Sequence, residues 1–302
     1  MTLGQGSTGT RVLADDTVGT FPIGGDLTVR RLGFGAMRIS GARNAEGVRD
    51  RDEARRLIRQ VVDRGVNFID TANIYGYGQS EEIIAEALYP YPSDLVITTK
   101  AGFKPAKIMR GHATLPVSGH PDHIREECEK SLVRLRVEAI DLYQMHVPDP
   151  NIPYDETLGA FVELQHAGKV RHIGISNVSL EQLDLAAAMF SVASVENRYN
   201  AGDLNAGRVL AACVERGIAF LPWAPIIMDS DRVGSVVAGI AAAHGATTQQ
   251  VALQWLLQRA PNIIPIPGTS QVSHADENID AAWLALDAAD IAAIDAAALG
   301  TS

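Results

Sequence analysis

The chain is poor in sulfur, in aromatic residues and, toward its end, in positive charge. Only two of its 302 residues are cysteine, Cys128 and Cys213. Both fall in helical patterns, so two buried thiols are expected rather than a disulfide. Lys and Arg number 26 against 36 Asp and Glu, a formal net charge of -10. That balance argues against nucleic acid or an anionic membrane surface as a partner. No Lys or Arg follows Arg259, whereas Asp276, Glu277, Asp280, Asp287, Asp290 and Asp295 all do. No stretch approaches the roughly 20 apolar residues of a membrane span. The polar, Gly/Thr-rich start lacks the apolar segment of a signal peptide, so a soluble, cytoplasmic protein is expected. No His-x-His pair stands at a strand end, so the ligand pattern of a metal-dependent hydrolase barrel is missing and no metal site is expected. Pro/Ser/Gly-rich linkers and low-complexity tracts are absent as well. One domain over 1–302 is therefore the economical reading of the length, with two smaller domains as the alternative.

What the chain does have is a regular alternation of strands and amphipathic helices. Residues 1–18 read as a loose tail, and Phe21 to Val29, centred on Gly24-Gly25-Asp26, as a hairpin. Strands are predicted at 31–35, 67–70, 95–100, 140–145, 171–175, 193–197, 218–222 and 263–266. Helices fit at 52–64, 80–88, 121–135, 155–167, 180–188, 205–216, 247–259 and 275–282. Two further helices, near 233–244 and 288–298, fall outside the repeat. Asp52, Ser80 and Asp122 are candidate helix caps, and Gly65, Gly168 and Gly217 candidate left-handed helix ends. Eight such units predict a (β/α)8 TIM barrel with an N-terminal hairpin and two extra helices, because parallel strands need crossover helices. An open doubly wound sheet is the alternative. It would usually carry a Gly-rich fingerprint leading straight into a helix, whereas Gly33-Phe-Gly35 is followed by about a dozen non-helical residues.

Four ionisable residues stand at or just past the ends of apolar runs: Asp70, Tyr75, Lys100 and His146. In a parallel barrel, strand C-termini share one face, and that face carries the chemistry. Each residue alone has an ordinary structural explanation; a carboxylate, a phenol, an ammonium and an imidazole on one face form a proton-transfer set. A free phenol has a pKa of roughly 10, and a neighbouring ammonium would lower it. Lys100 is the candidate for that, with Asp70 holding it, and His146 is placed to polarise an oxygen.

The run Asp70-Thr-Ala-Asn-Ile-Tyr75-Gly-Tyr-Gly-Gln-Ser-Glu81 resembles the signature of the aldo-keto reductase family. So do Leu32-Gly-Phe-Gly-Ala-Met37, Asp141-Leu-Tyr-Gln-Met-His146, Gly174-Ile-Ser176-Asn177, Asn197-Arg-Tyr199-Asn200 and Ile266-Pro-Gly-Thr-Ser270 through Asn278. The resemblance extends over most of the chain, and within the family it points to bacterial members of the pyridoxal reductase (pyridoxine dehydrogenase) type. It implies a barrel that binds NADP(H) and reduces aldehydes or ketones, with Tyr75 as general acid, Lys100 and Asp70 tuning it, and His146 orienting the carbonyl. It also implies that Ser176 and Asn177 hold the nicotinamide carboxamide, with Glu196 standing where relatives have a glutamine. A carboxylate there should favour the positively charged oxidised cofactor. Trp223 matches the aromatic that stacks on the ring. Gly35, Ala36, Met37, Ala224, Pro225 and Ile226 line the rest of the expected cofactor path. Relatives commonly hold the 2′-phosphate with a Lys and an Arg; the matching positions are Gly268 and His274. Thr269, Ser270 and the start of a helix remain to bind it, so use of NAD(H) is also open. Glu277 and Asn278 match the residues that contact adenine.

The stretch from Ala101 to Gly119 is long for a strand–helix connection, and loops of that length are often functional. It carries Phe103, Lys104, Lys107, Arg110 and His112. His120 and His123 flank a predicted helix cap and are assigned no role. The chain ends soon after the last helix, without the long C-terminal loop of many relatives, so a wide pocket is expected. The expected partner is a small aldehyde or ketone, and the chain itself a monomer or small homo-oligomer. The alternative is a cofactor-binding regulatory subunit on the same barrel with little turnover.

Overall fold

The computed structural model describes residues 11–41, 50–105, 107–109, 112–228 and 230–300. Strands β1 (Thr20–Ile23) and β2 (Leu27–Arg30) form the predicted antiparallel hairpin. The sheet strands are β3 (Phe34–Gly35), β4 (Phe68–Asp70), β5 (Val96–Ala101), β8 (Ile140–Met145), β9 (Val170–Ser176), β10 (Val192–Arg198) and β11 (Ala219–Trp223). They lie in the order β11-β10-β9-β8-β5-β4-β3, and every neighbouring pair is parallel. Two short strands, β6 (Lys107–Met109) and β7 (His112–Thr114), pair antiparallel in the long loop after β5. Outside the sheet lie α1 (Asp15–Val18), α2 (Arg51–Asp63), α3 (Gln79–Leu88), α4 (Pro121–Leu135), α5 (Tyr154–His166) and α6 (Leu180–Met189). They are followed by α7 (Gly207–Arg216), α8 (Asp231–His244), α9 (Thr248–Arg259), α10 (Val272–Asp280) and α11 (Ala288–Leu299). The two extra helices are α8 and α11.

The predicted eighth strand, 263–266, is a seam rather than a ladder. Pro265 and Pro267 have no N–H to donate. Their carbonyls instead accept from Gly33 N at 2.9 Å and Gly35 N at 3.1 Å. On the other side Phe220 N donates to Asn262 O and Ile264 N to Phe220 O, each at 2.9 Å. The sheet is thereby closed as the expected (β/α)8 barrel. The seam is narrow: a Cβ on Gly35 would lie 2.6 Å from Ile266 O, and one on Gly268 would lie 2.5 Å from Gly35 O. The first strand is correspondingly shorter than 31–35.

Strand alternation sorts the side chains. Phe68, Val96, Leu142, Ala219 and Leu221 point into the barrel, where Ile23, Leu27 and Val29 of the hairpin meet them. Ile69 and Ile97, then Tyr143, Met145, Ile173, Ile175, Val195 and Phe220, pack outward against the helices. Cys128 and Cys213 are buried free thiols, as expected, and burial pushes each up to about 12. Among the described residues no helix is long and apolar enough to cross a membrane.

Three helix starts differ from expectation. Asp50, not Asp52, caps α2: its side chain accepts from Asp52 N and Glu53 N. The residue before α3 is Gly78, at φ 93°, and Ser80 lies inside the helix, where its hydroxyl donates to Ala36 O. His120 caps α4 ahead of Pro121, its ring nitrogen accepting from Asp122 N. Gly65, Gly168 and Gly217 hold positive φ after α2, α5 and α7, as predicted. Residues 11–18 are not loose. Leu13 is buried, Leu13 N donates to Arg64 O at 2.8 Å, and Arg64 Nε reaches Arg11 O; residues 1–10 lie outside the described set.

Candidate active site

The inward positions nearest the C-terminal ends of the strands are polar. They are Asp70 on β4, Lys100 on β5, Gln144 on β8, and Ser194 and Glu196 on β10, all buried. Lys100 Nζ donates to both oxygens of Asp70, at 2.5 and 2.7 Å, and to Thr71 O at 3.0 Å. It also lies 3.2 Å from Glu196 Oε2. Gln144 Nε2 donates to the same Glu196 oxygen at 2.8 Å, and Gln144 Oε1 accepts from Ser194 Oγ at 2.9 Å. Burial opposes the Lys100 ammonium, but Asp70 and Glu196 outweigh it and hold its pKa above the usual lysine range. Burial, then the charge of Glu196, pushes Asp70 well above the usual carboxylate range.

Tyr75 sits on the turn after β4. That turn is fixed by Asn73 N to Lys100 O at 3.1 Å, Ser80 N to Tyr75 O at 3.2 Å, and a 2.7 Å hydroxyl contact between Thr71 and Ser80. Lys100 Nζ lies 5.4 Å from the Tyr75 ring centroid. Burial nevertheless pushes the phenol above its ordinary pKa, with Lys100 pulling the other way. The net direction is thus opposite to the lowering expected from the sequence, because the desolvation of a buried phenolate exceeds one ammonium's pull. His146 follows β8, its ring edge-on to Tyr75 at 5.9 Å and to Phe103 at 4.8 Å. Burial, then the Lys100 charge, holds it neutral. Its Nδ1 is buried with no hydrogen-bond partner among the described residues.

The neighbouring strand ends are tied together. Ser176 Oγ donates to Glu196 O at 2.7 Å, and Asn177 Nδ2 donates to His146 O at 3.0 Å. Trp223 Nε1 donates to Asn177 Oδ1 at 3.0 Å, and the Arg198 guanidinium lies 5.4 Å from the Trp223 ring centroid. Asn177 and Ala224 hold φ of 57° and 53°, unusual for residues other than glycine; Asn200 Nδ2 donates to Ala224 O at 3.0 Å. Around the seam Ala36 is fully buried and Met37 is exposed. Pro225 is buried and Ile226 half-buried behind Trp223. Thr269 Oγ1 accepts from Gln271 N at 3.1 Å, and no side chain caps the first turn of α10, which carries His274, Glu277 and Asn278. In the long loop Phe103 reaches His146; Arg110 lies outside the described residues.

Sequence reasoning missed Gln144 and Ser194, although period-two alternation from His146 and Glu196 would have found both. It also missed a second ion pair behind the site: buried Glu81 with half-buried Arg134 at 2.5 Å, joined by Thr99 Oγ1 at 2.6 Å. Among the described residues no group of side chains could hold a metal ion.

A closed parallel barrel that gathers a neutral phenol, a buried ammonium and a neutral imidazole at its strand ends has the architecture of an enzyme. The chain belongs to the aldo/keto reductase family, whose profile matches residues 31–230 and 232–299. It is 36% identical over 282 residues to the pyridoxine 4-dehydrogenase of Escherichia coli, covering 91% of this chain and 97% of that protein. A Schizosaccharomyces pombe aldo-keto reductase named for NADP(+) is 28% identical over 312 residues, covering 91% and 90%. Among solved structures, the glycerol dehydrogenase of Gluconobacter oxydans superposes with a TM-score of 0.79 at 26% identity, covering 92% of this chain and 94% of that one.

Proposed function

We propose that the chain reduces aldehydes to alcohols with NADPH, with Tyr75 as the proton donor. The observation that carries this reading is the buried, neutral Tyr75 phenol with the Lys100 ammonium 5.4 Å from its ring centroid. A phenol that stays protonated through the physiological range is always ready to donate, and Lys100 stabilises the phenolate as it forms. Asp70 keeps the ammonium charged and aimed. His146, being neutral, would donate a hydrogen bond to the carbonyl oxygen and set its angle. Phe103 beside it forms an apolar wall.

The residues fit a nicotinamide dinucleotide. Ser176 and Asn177 are already oriented by Glu196 and His146, and Trp223 is fixed by Asn177. The uncapped first turn of α10 offers backbone N–H groups, with Thr269, Ser270 and His274, to a phosphate; Glu277 and Asn278 would meet the adenine. When bound, the cofactor supplies the hydride. Gly268 cannot give way to a lysine, because its Cβ would meet Gly35 O. Phosphate recognition without Lys or Arg predicts a modest preference for NADPH over NADH.

The likeness to the Escherichia coli enzyme makes aromatic aldehydes of the pyridoxal kind the first substrates to try. The test is oxidation of NADPH and NADH by an aldehyde panel that includes pyridoxal. Turnover with at least one aldehyde is expected. Tight cofactor binding without turnover across the panel would instead support the regulatory-subunit reading.

A further inference from the structure

Glu196 stands where the family resemblance implies a glutamine, and its surroundings give a carboxyl group a task that an amide could not perform. The groups facing it can be named strand by strand. β4 brings the Asp70 carboxyl, which bonds the same Lys100 ammonium at 2.5 and 2.7 Å. β5 brings the Lys100 ammonium at 3.2 Å, and β8 the Gln144 amide at 2.8 Å. The turn after β4 brings the Tyr75 phenol. β9 contributes Ser176, whose hydroxyl bonds the Glu196 backbone, and β11 the apolar Leu221. Lys100 has three protons to give, against four acceptors: both Asp70 oxygens, Thr71 O and Glu196 Oε2.

Two buried carboxyl groups that meet one ammonium do not both stay ionised: like charges at that range disfavour each other, and burial disfavours both. Gln144 settles which oxygen is the acceptor. Its Oε1 is committed to Ser194, so its amide N–H faces Glu196 Oε2, which accepts. Gly174 makes this possible, since a Cβ there would lie 2.2 Å from Ser194 Oγ and 2.8 Å from the Gln144 side chain.

We propose that Asp70 and Glu196 share one proton beside Lys100, and that the pair gives it up when the oxidised, positively charged nicotinamide binds at the adjoining strand ends. The inference rests on the cofactor reading above and deepens it. In the step, one carboxyl O–H bond breaks, its electron pair stays on the oxygen and the proton passes to the buffer; nothing is oxidised or reduced. The second negative charge then faces a cation, whereas the uncharged reduced ring gives no reason to release the proton. Glu196 thus discriminates between the two redox states of one cofactor by proton linkage.

The test is calorimetric titration of the whole protein with NADP⁺ and with NADPH, at one pH, in two buffers of different ionisation enthalpy. The wild type should release about one proton per NADP⁺ and none with NADPH, and its NADP⁺ affinity should rise by up to about tenfold per pH unit across the pair's titration. The 2′-phosphate is common to both cofactors and cancels in the comparison. Glu196→Gln should release none and show flat affinity, while Tyr75→Phe should still release it. NADP⁺ binding without release, release that persists in Glu196→Gln, or release lost in Tyr75→Phe would each overturn the proposal. A cofactor-free measurement separates this from the cofactor reading. The infrared carbonyl band of a buried carboxylic acid should be present in the wild-type protein at neutral pH and absent from Glu196→Gln. Its absence from the wild type overturns the shared proton, whereas failure to bind either cofactor overturns the cofactor reading instead.

Discussion

Replacing Lys100 by methionine removes the cation in contact with two buried carboxyl groups while nearly preserving side-chain volume. The ammonium makes two bonds to Asp70 and one to Thr71 O and is fully buried. Stripping one partner from a buried ion pair costs about 3–5 kcal/mol, since the remaining charge is left uncompensated. At about 2.1 cal/mol/K of unfolding entropy per residue, that loss lowers Tm by roughly 5–8 °C for a chain of this length. The pH dependence has a definite sign. Without Lys100 the Asp70 carboxyl titrates above its unfolded value, because burial already pushes it up. A group raised in the folded state contributes its stability below the unfolded pKa and loses it as pH rises through the folded one. The Tm deficit against wild type should therefore shrink as pH falls from about 8 to about 5. Adding Glu196→Gln to Lys100→Met should recover part of the loss at the higher pH. Melting curves followed by circular dichroism across that range read all three effects. A deficit below about 1 °C, or one that does not change with pH, would refute the argument that Lys100 balances buried carboxyl charge.

Gly35→Ala should destabilise the barrel by about 1–3 kcal/mol, as overpacking does, because its Cβ meets Ile266 O across the seam; denaturant unfolding measures it. Cys128 and Cys213, with thiols pushed up to about 12 by burial, should resist alkylation in the native protein near pH 8 and react only on unfolding, as mass spectrometry would show. Asn200→Ala removes the bond that holds Ala224 at φ 53°. It should weaken NADPH binding by roughly 2- to 12-fold, the equivalent of one hydrogen bond, measured by fluorescence titration, with the fold intact.

Much of this was legible because strand alternation and turn chemistry are local. The positions of Asp70, Lys100 and His146 at strand ends follow from short apolar runs, and Gly65, Gly168 and Gly217 mark helix ends by their backbone freedom. The seam was half legible. An apolar run at 263–266 reads as a strand, but Pro265 and Pro267 make it an acceptor edge served by Gly33 and Gly35. Helix starts were misplaced because Asp50 competes with Asp52 and because Ser80 is drawn to Ala36 O by tertiary packing. The direction of the Tyr75 shift was not legible at all: it depends on how much protein surrounds the ring, a quantity that no spacing of residues reports.

The account turns on the Tyr75 hydroxyl delivering the proton, and Tyr75→Phe tests it most directly. Steady-state reduction of an accepted aldehyde at saturating NADPH should fall by about 10²- to 10⁴-fold, with the NADPH dissociation constant and melting temperature close to wild type. A Tyr75→Phe protein that keeps near-normal kcat would contradict the central claim.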